Sequence, residues 1–136
     1  MNSDLPKDEL ERGLVLALRY DANGLICAVA QNHETQEILM VAWMNAQAVA
    51  LTLETGIAHY WSRSRGQLWK KGETSGQLQT VHQIRVDCDQ DALVLHVSVA
   101  GDGGCCHVGF TSCFYRAVAD GTGRLIQIQD MPAPLP

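Results

Sequence analysis

The chain has 136 residues, 46% of them hydrophobic, and a formal charge of −5 at pH 7. That length supports one core rather than two, so a single domain over 1–136 is expected, with 1–12 and 131–136 loosely ordered. The acidic balance argues against nucleic-acid or anionic-membrane binding, no apolar run approaches the roughly 18 residues of a bilayer span, and MNSDLPKDEL has acids where a secretory leader is basic and then apolar, which points to the cytoplasm.

In chain order, Leu14 to Arg19 and Leu25 to Ala30 read as strands flanking DANG, whose Asn23-Gly24 suits a tight hairpin turn. Ile38 to Trp43 is a third strand candidate. Asn45 is a fitting N-cap for a helix over AQAVALTLET, and Gly56 follows as its stop. Strands are next expected in IAHYWS, in TVHQIRVDCD, and in ALVLHVSVA, where Leu93, Leu95, Val97 and Val99 recur with period two. A final pair, Phe114 to Ala119 and Arg124 to Gln129, brackets the turn DGTG. Many short strands with one clear helix predict an α+β domain whose sheet curls around its core.

Five cysteines, Cys27, Cys88, Cys105, Cys106 and Cys113, occur in a chain without export features, so ligand, nucleophile or core roles are favoured over disulfides. Cys27, in the apolar run LICAVA, reads as core. Cys88, Cys106 and Cys113 offer three thiolates and no obvious fourth ligand, as expected of a zinc site that keeps a position for water. His107 follows Cys106 directly and is the candidate general acid or base. His33, His59, His82 and His96 lack such a neighbour and read as surface or strand residues, with His59 the next to test.

In DCDQD, Asp87, Asp89 and Asp91 alternate with Cys88 and Gln90, and carboxylates of this kind suit magnesium. Fully extended, three such acids spread over about 13 Å, so the chain must bend if they share one ion. The pattern mimics the start of an EF-hand loop but fails where Ala92 and Ser98 replace the required glycine and glutamate; a solvated acidic turn is the competing reading. The segment 62–77 holds Arg63, Arg65, Lys70 and Lys71 with only one acid, Glu73, together with hydroxyls and glycines. That combination can bind phosphate, while Trp61 and Trp69 could stack on a base or lie in the core.

Taken together, LMVAWMN, ETGIAHYWSRSRGQLWKKGETSGQLQTV, IRVDCDQDALVL and CCHVGFTSCFYR resemble the phosphoribosyl-AMP cyclohydrolase family of histidine biosynthesis, which opens the purine ring of N1-(5-phosphoribosyl)-AMP between carbon 6 and nitrogen 1. The resemblance implies a β-rich pseudo-barrel capped by a helix, and zinc and magnesium as cofactors. It implies Cys88, Cys106 and Cys113 as zinc ligands and Asp87, Asp89 and Asp91 as magnesium ligands. It also implies a homodimer sharing each zinc across the interface, with Cys88 of one copy facing Cys106 and Cys113 of the other. The motifs WSRSR and W-x-K-G-E-x-S-G put Trp61, Ser62, Arg63, Ser64, Arg65, Trp69, Lys71, Gly72, Glu73, Ser75 and Gly76 at the phosphorylated substrate. Two departures stand out: Cys105 occupies a position where the family more often has alanine, and Val108 and Phe110 replace a threonine and a basic residue. A zinc nucleobase deaminase is the rival enzyme, disfavoured because its histidine-x-glutamate and Pro-Cys-x-x-Cys signatures are absent. A non-enzymatic structural zinc module would need a fourth ligand, from His107 or Cys105.

Overall fold

The computed structural model describes residues 5–101, 103–121 and 123–131. Its elements are α1 (Lys7–Arg12), β1 (Ile26–Asn32), β2 (Ile38–Met44), α2 (Ala46–Thr55), β3 (His59–Ser62), β4 (Gln67–Lys70), β5 (Gln79–Val86), β6 (Ala92–Val99), β7 (Arg116–Val118) and β8 (Leu125–Gln127). Strands one to six form one sheet in the order β4-β3-β2-β1-β6-β5, and β7 pairs with β8 separately. Only β1 and β6 run parallel; the other pairings are antiparallel.

The sheet curls until its far ends meet. Ile57, just before β3, bridges Thr80 of β5, while Ala58 N–H donates to Gln79 O at 3.0 Å and Val81 N–H to Gly56 O at 2.8 Å. The result is the α+β pseudo-barrel expected from the sequence. Ile26, Ala28 and Ala30 of β1 face inward beside Leu93, Leu95 and Val97 of β6, so small residues on one strand make room for large ones on its neighbour. Each large aliphatic side chain buried this way contributes roughly 1.5–3 kcal/mol relative to exposure. The alternation on β6 is broken at His96, which is also buried.

Helix α2 has the predicted caps: Asn45 Oδ1 accepts from Ala48 N–H at 2.8 Å and Gly56 ends the helix at φ 74°. Ala48, Val49 and Thr52 are its buried face, and Thr52 Oγ1 accepts from His59 N–H at 2.9 Å, tying α2 to β3.

Two expectations are corrected. Leu14 to Arg19 joins no sheet among the described residues and Leu14 is fully exposed, because β1 is paired on both edges, by β2 and β6, and has none left for a preceding strand. The DANG turn exists, closed by Gly24 N–H to Asp21 O at 2.9 Å and by Asp21 Oδ1 accepting from Asn23 and Leu25, but it joins no hairpin and only Gly24 has a positive φ. Lys7–Arg12 forms the short helix α1, which buries Leu10. Strand β4 lies within the segment read from sequence as a binding loop, and residues 1–4 and 132–136 lie outside the described residues.

Candidate active site

The five residues DCDQD connect β5 to β6, and the chain bends there rather than continuing extended. Asp87 O accepts from Gln90 N–H at 3.1 Å, Asp87 Oδ1 accepts from the N–H groups of Asp91 and Ala92 at 2.9 and 3.1 Å, and Gln90 adopts φ 56°. This turn brings ligand atoms of Asp87, Asp89 and Asp91 within 4.8 Å of one another, close enough to hold a metal ion. Hydrogen bonds that the protonated Asp91 carboxyl donates to Asp87 and then to Asp89 push the Asp91 pKa up to about 6. Burial works against ionisation of Asp87, yet hydrogen bonds from the Asp91 carboxyl, Ala92 N–H, the Asp89 carboxyl and Asp91 N–H hold it below its ordinary value. Acids that share a proton in this way form a donor set which a divalent cation would satisfy by displacing that proton.

Gln90 anchors the turn. Its side chain is buried and fully bonded: Oε1 accepts from Ala17 N–H at 2.8 Å, while Nε2 donates to Leu10 O and Val15 O, both at 3.1 Å. Its backbone carbonyl accepts from Arg19 N–H at 2.7 Å. The sequence carried no signal for this role beyond the residue's position between two acids. Cys88 is exposed on the same turn, in a shallow hollow of about 280 Å³ beside Leu14, Val15, Leu16 and Val86.

Cys105, Cys106 and Cys113 sit elsewhere, on a loop that folds back on itself. Cys105 and Cys106 N–H groups donate to Thr111 O and Phe110 O, both at 3.1 Å, and Gly109 N–H closes the CHVG turn on Cys106 O at 3.0 Å. Cys113 N–H then docks on Leu39 O of β2 at 2.7 Å, reinforced by Ser112 Oγ donating to Ile38 O at 2.7 Å. In this arrangement the Cys113 thiol makes a hydrogen-bond contact with Cys106; burial and the neighbouring Cys106 and Cys105 sulfurs push its pKa up to about 12. A cation between the sulfurs would reverse that shift.

Cys105 points into the core instead, where Gln79 Nε2 donates to its sulfur at 3.2 Å and to Met40 Sδ at 3.3 Å, and Tyr60 Oη donates to Gln79 Oε1 at 2.6 Å. Lys71 Nζ donates to the Cys105 carbonyl at 2.9 Å, linking this loop to the basic segment. His107, exposed at the tip, lines a cleft of about 350 Å³ with Arg65, Trp69, Lys71, Glu73 and Ser75.

The basic segment therefore divides. Gly72 also lines the His107 cleft, but its main demand is steric: at φ 84° a Cβ would lie 2.1 Å from Gln77 C. Trp61, Ser62, Arg63, Ser64 and Gly76 do not line it. Ser62 and Gly66 close the β3–β4 turn, Trp61 pairs with Trp43 across β2 and β3, and the Arg63 guanidinium lies 4.7 Å over the Trp43 ring. Trp43 belongs to a different cleft, of about 350 Å³, shared with Arg19, Tyr20, Cys27 and Asp91. His59 is buried with Nδ1 2.7 Å from Ile57 O, a structural role.

Among the described residues no helix is long and apolar enough to cross a membrane. Residues 40–115 match the family model for phosphoribosyl-AMP cyclohydrolase. Proteins named phosphoribosyl-AMP cyclohydrolase are 65% identical over 115 residues in Caulobacter vibrioides strain NA1000, covering 85% of this chain and 83% of the relative. Relatives of the same name are 64% identical in Caulobacter sp. strain K31, covering 85% and 86%, and 62% identical over 119 residues in Brucella anthropi, covering 88% and 84%. With the family model covering more than half of the chain and these relatives matching most of it, the chain belongs to the phosphoribosyl-AMP cyclohydrolase family.

Proposed function

We propose that this chain, as one cytoplasmic domain, hydrolyses the bond between carbon 6 and nitrogen 1 of the purine ring in N1-(5-phosphoribosyl)-AMP, a step of histidine biosynthesis. The observation that carries the reading is the convergence of His107 with Arg65, Lys71 and Ser75 on one cleft, immediately beside the paired thiols Cys106 and Cys113. The names of the relatives support the same substrate.

Lys71 and Arg65 supply charge and directed donors for a phosphate, and Ser75 adds a hydroxyl. Trp69, half-buried against Tyr60 at 5.3 Å between ring centres, offers an aromatic wall. His107 stands at the mouth, where its imidazole takes the proton from the attacking water. The water oxygen bonds carbon 6 and remains as the carboxamide oxygen; nitrogen 1 leaves bearing a proton.

Cys106 and Cys113 would hold zinc, with Cys88 of a second copy as the third ligand, and Asp87, Asp89 and Asp91 would hold magnesium. Zinc, when bound, supplies the Lewis acidity that brings the pKa of water near neutrality. Softness of the sulfur set and the proton-sharing acids support that division. The homodimer is supported by the surroundings of Cys88: the thiol is exposed, apart from the other two, among exposed Leu14, Val15 and Leu16. A closed four-ligand zinc module gains no support, since the Cys105 thiol is bonded to Gln79 and His107 faces the cleft.

The test is the absorbance change when purified protein meets phosphoribosyl-AMP. Turnover that disappears with a chelator and returns with zinc and magnesium is expected; no ring opening by the metal-replete protein would refute the assignment.

A further inference from the structure

Three histidines outside the proposed reaction, His33, His82 and His96, meet on the face of the sheet opposite the core. They arrive from three adjacent strands. His33 follows β1 and its N–H donates to Val97 O at 2.8 Å. His96 lies in β6 between the inward-facing Leu95 and Val97, so period-two alternation turns it outward. His82 is the residue at the β5 irregularity, where pairing moves from Val81 with Val97 to Gln83 with His96. An irregularity of this kind re-aims a side chain, and here it points His82 toward the same face.

The rings touch. His33 and His82 stack with centroids 4.3 Å apart and planes 19° from parallel, and His33 meets His96 edge to face at 6.4 Å and 65°. His82 Nε2 lies 2.6 Å from Ser98 Oγ. His96 is 8% exposed, and its Nε2 is buried with no hydrogen-bond partner among the described residues. A buried imidazole nitrogen without a partner is an unusual expense in a folded protein, and one that a ligand at that atom would remove.

From this juxtaposition we infer that His33, His82 and His96 together bind one first-row transition metal ion of the zinc or copper class, at a site separate from the active site. Imidazole nitrogens select such ions over magnesium or calcium, which prefer oxygen. With a metal–nitrogen bond of about 2.0–2.1 Å and a ring centre about 1.1 Å behind the nitrogen, tetrahedral ligation sets ring centres about 5.2 Å apart. The observed separations of 4.3 and 6.4 Å fall on either side of that value, but His33 and His82 are stacked and the ligand nitrogens of the three rings do not all lie within 4.8 Å of one another, so binding requires side-chain rotations that unstack the pair. His33 and His82 are exposed and free to make them around the fixed His96, with Ser98 left to orient His82. From Asp91 to His96 the extended chain advances about 16 Å, which keeps this site off the acidic turn.

The test counts zinc per chain after dialysing the full-length protein against micromolar Zn²⁺ and removing free metal. The wild-type chain is expected to retain one equivalent more than a chain carrying His33→Ala and His82→Ala, both surface changes. Ring opening by that double variant should be unchanged, and the extra equivalent should survive in Cys106→Ala. Cu²⁺ loaded into the wild type should show nitrogen hyperfine coupling that the double variant lacks. Equal zinc in the wild type and the double variant, or loss of the extra equivalent with Cys106→Ala, would overturn the inference.

Discussion

Replacing Gln90 tests how the acidic turn is held. Its side chain makes three hydrogen bonds to the backbone of residues 10–17 from a position only 6% exposed. Gln90→Ala deletes all three, and at about 1 kcal/mol each the loss is about 3 kcal/mol. Gln90→Gly deletes the same bonds but relieves the φ of 56°, a conformation that costs a non-glycine residue about 1 kcal/mol, so it should be destabilised by only about 2 kcal/mol. Urea unfolding gives the totals, and hydrogen exchange locates them. The Ala17 amide, bonded to the lost side chain, should exchange faster in both variants. The Arg19 amide, bonded to the Gln90 backbone carbonyl at 2.7 Å, should keep more of its protection. If both variants unfold within 0.5 kcal/mol of wild type by the usual surface range, or if glycine proves worse than alanine, the reasoning fails.

The acid cluster gives a pH dependence. Folded Asp91 keeps its proton to about pH 6 against an ordinary value of 3.8, so the folded state binds more protons in between and the metal-free chain should lose stability as pH rises through that window. Melting temperatures across that range should flatten in Asp91→Asn and on adding magnesium; a slope untouched by either change would contradict the shared proton. Gly72→Ala, whose Cβ would sit 2.1 Å from Gln77 C, should cost roughly 3 kcal/mol or more, whereas Gly76→Ala meets nothing within 4 Å and should cost about 1–2 kcal/mol for its φ alone. Chemical denaturation of the two variants compares them directly. Cys105→Ala should keep zinc and turnover at a cost of about 1–2 kcal/mol, because its sulfur serves Gln79 in the core, while Cys106→Ala should lose both; metal analysis beside the ring-opening assay distinguishes them.

What could be read from sequence was whatever is decided locally. Helix α2 was legible because Asn45 and Gly56 act within a few residues of the backbone groups they satisfy. The bend at DCDQD was legible as a length constraint, since extended acids could not share one ion. Leu14 to Arg19 was misread because a short apolar run before a turn resembles a strand, while its partner, Gln90, lies more than seventy residues away. The division of the basic segment was invisible for a similar reason: β4 is a four-residue strand, and its pairing with β3 decides that Arg63 turns to Trp43 while Arg65 turns to His107.

Both candidate ligand groups sit on turns that strand pairing alone does not fix, and a buried glutamine supports each. Gln90 ties the acidic turn to the N-terminal segment, and Gln79 ties the cysteine loop to Tyr60 through the Cys105 sulfur. A buried amide with every donor and acceptor satisfied adds little net stability over an apolar side chain, but a displaced one strands its polar atoms, so alternative loop arrangements are penalised. Leucine at either position would preserve much of the packing and remove that penalty. Geometry at the two ligand turns therefore depends on a few directional bonds reaching across the fold, while the curled sheet behind them depends on the undirected burial of Ile26, Leu93, Leu95 and Val97.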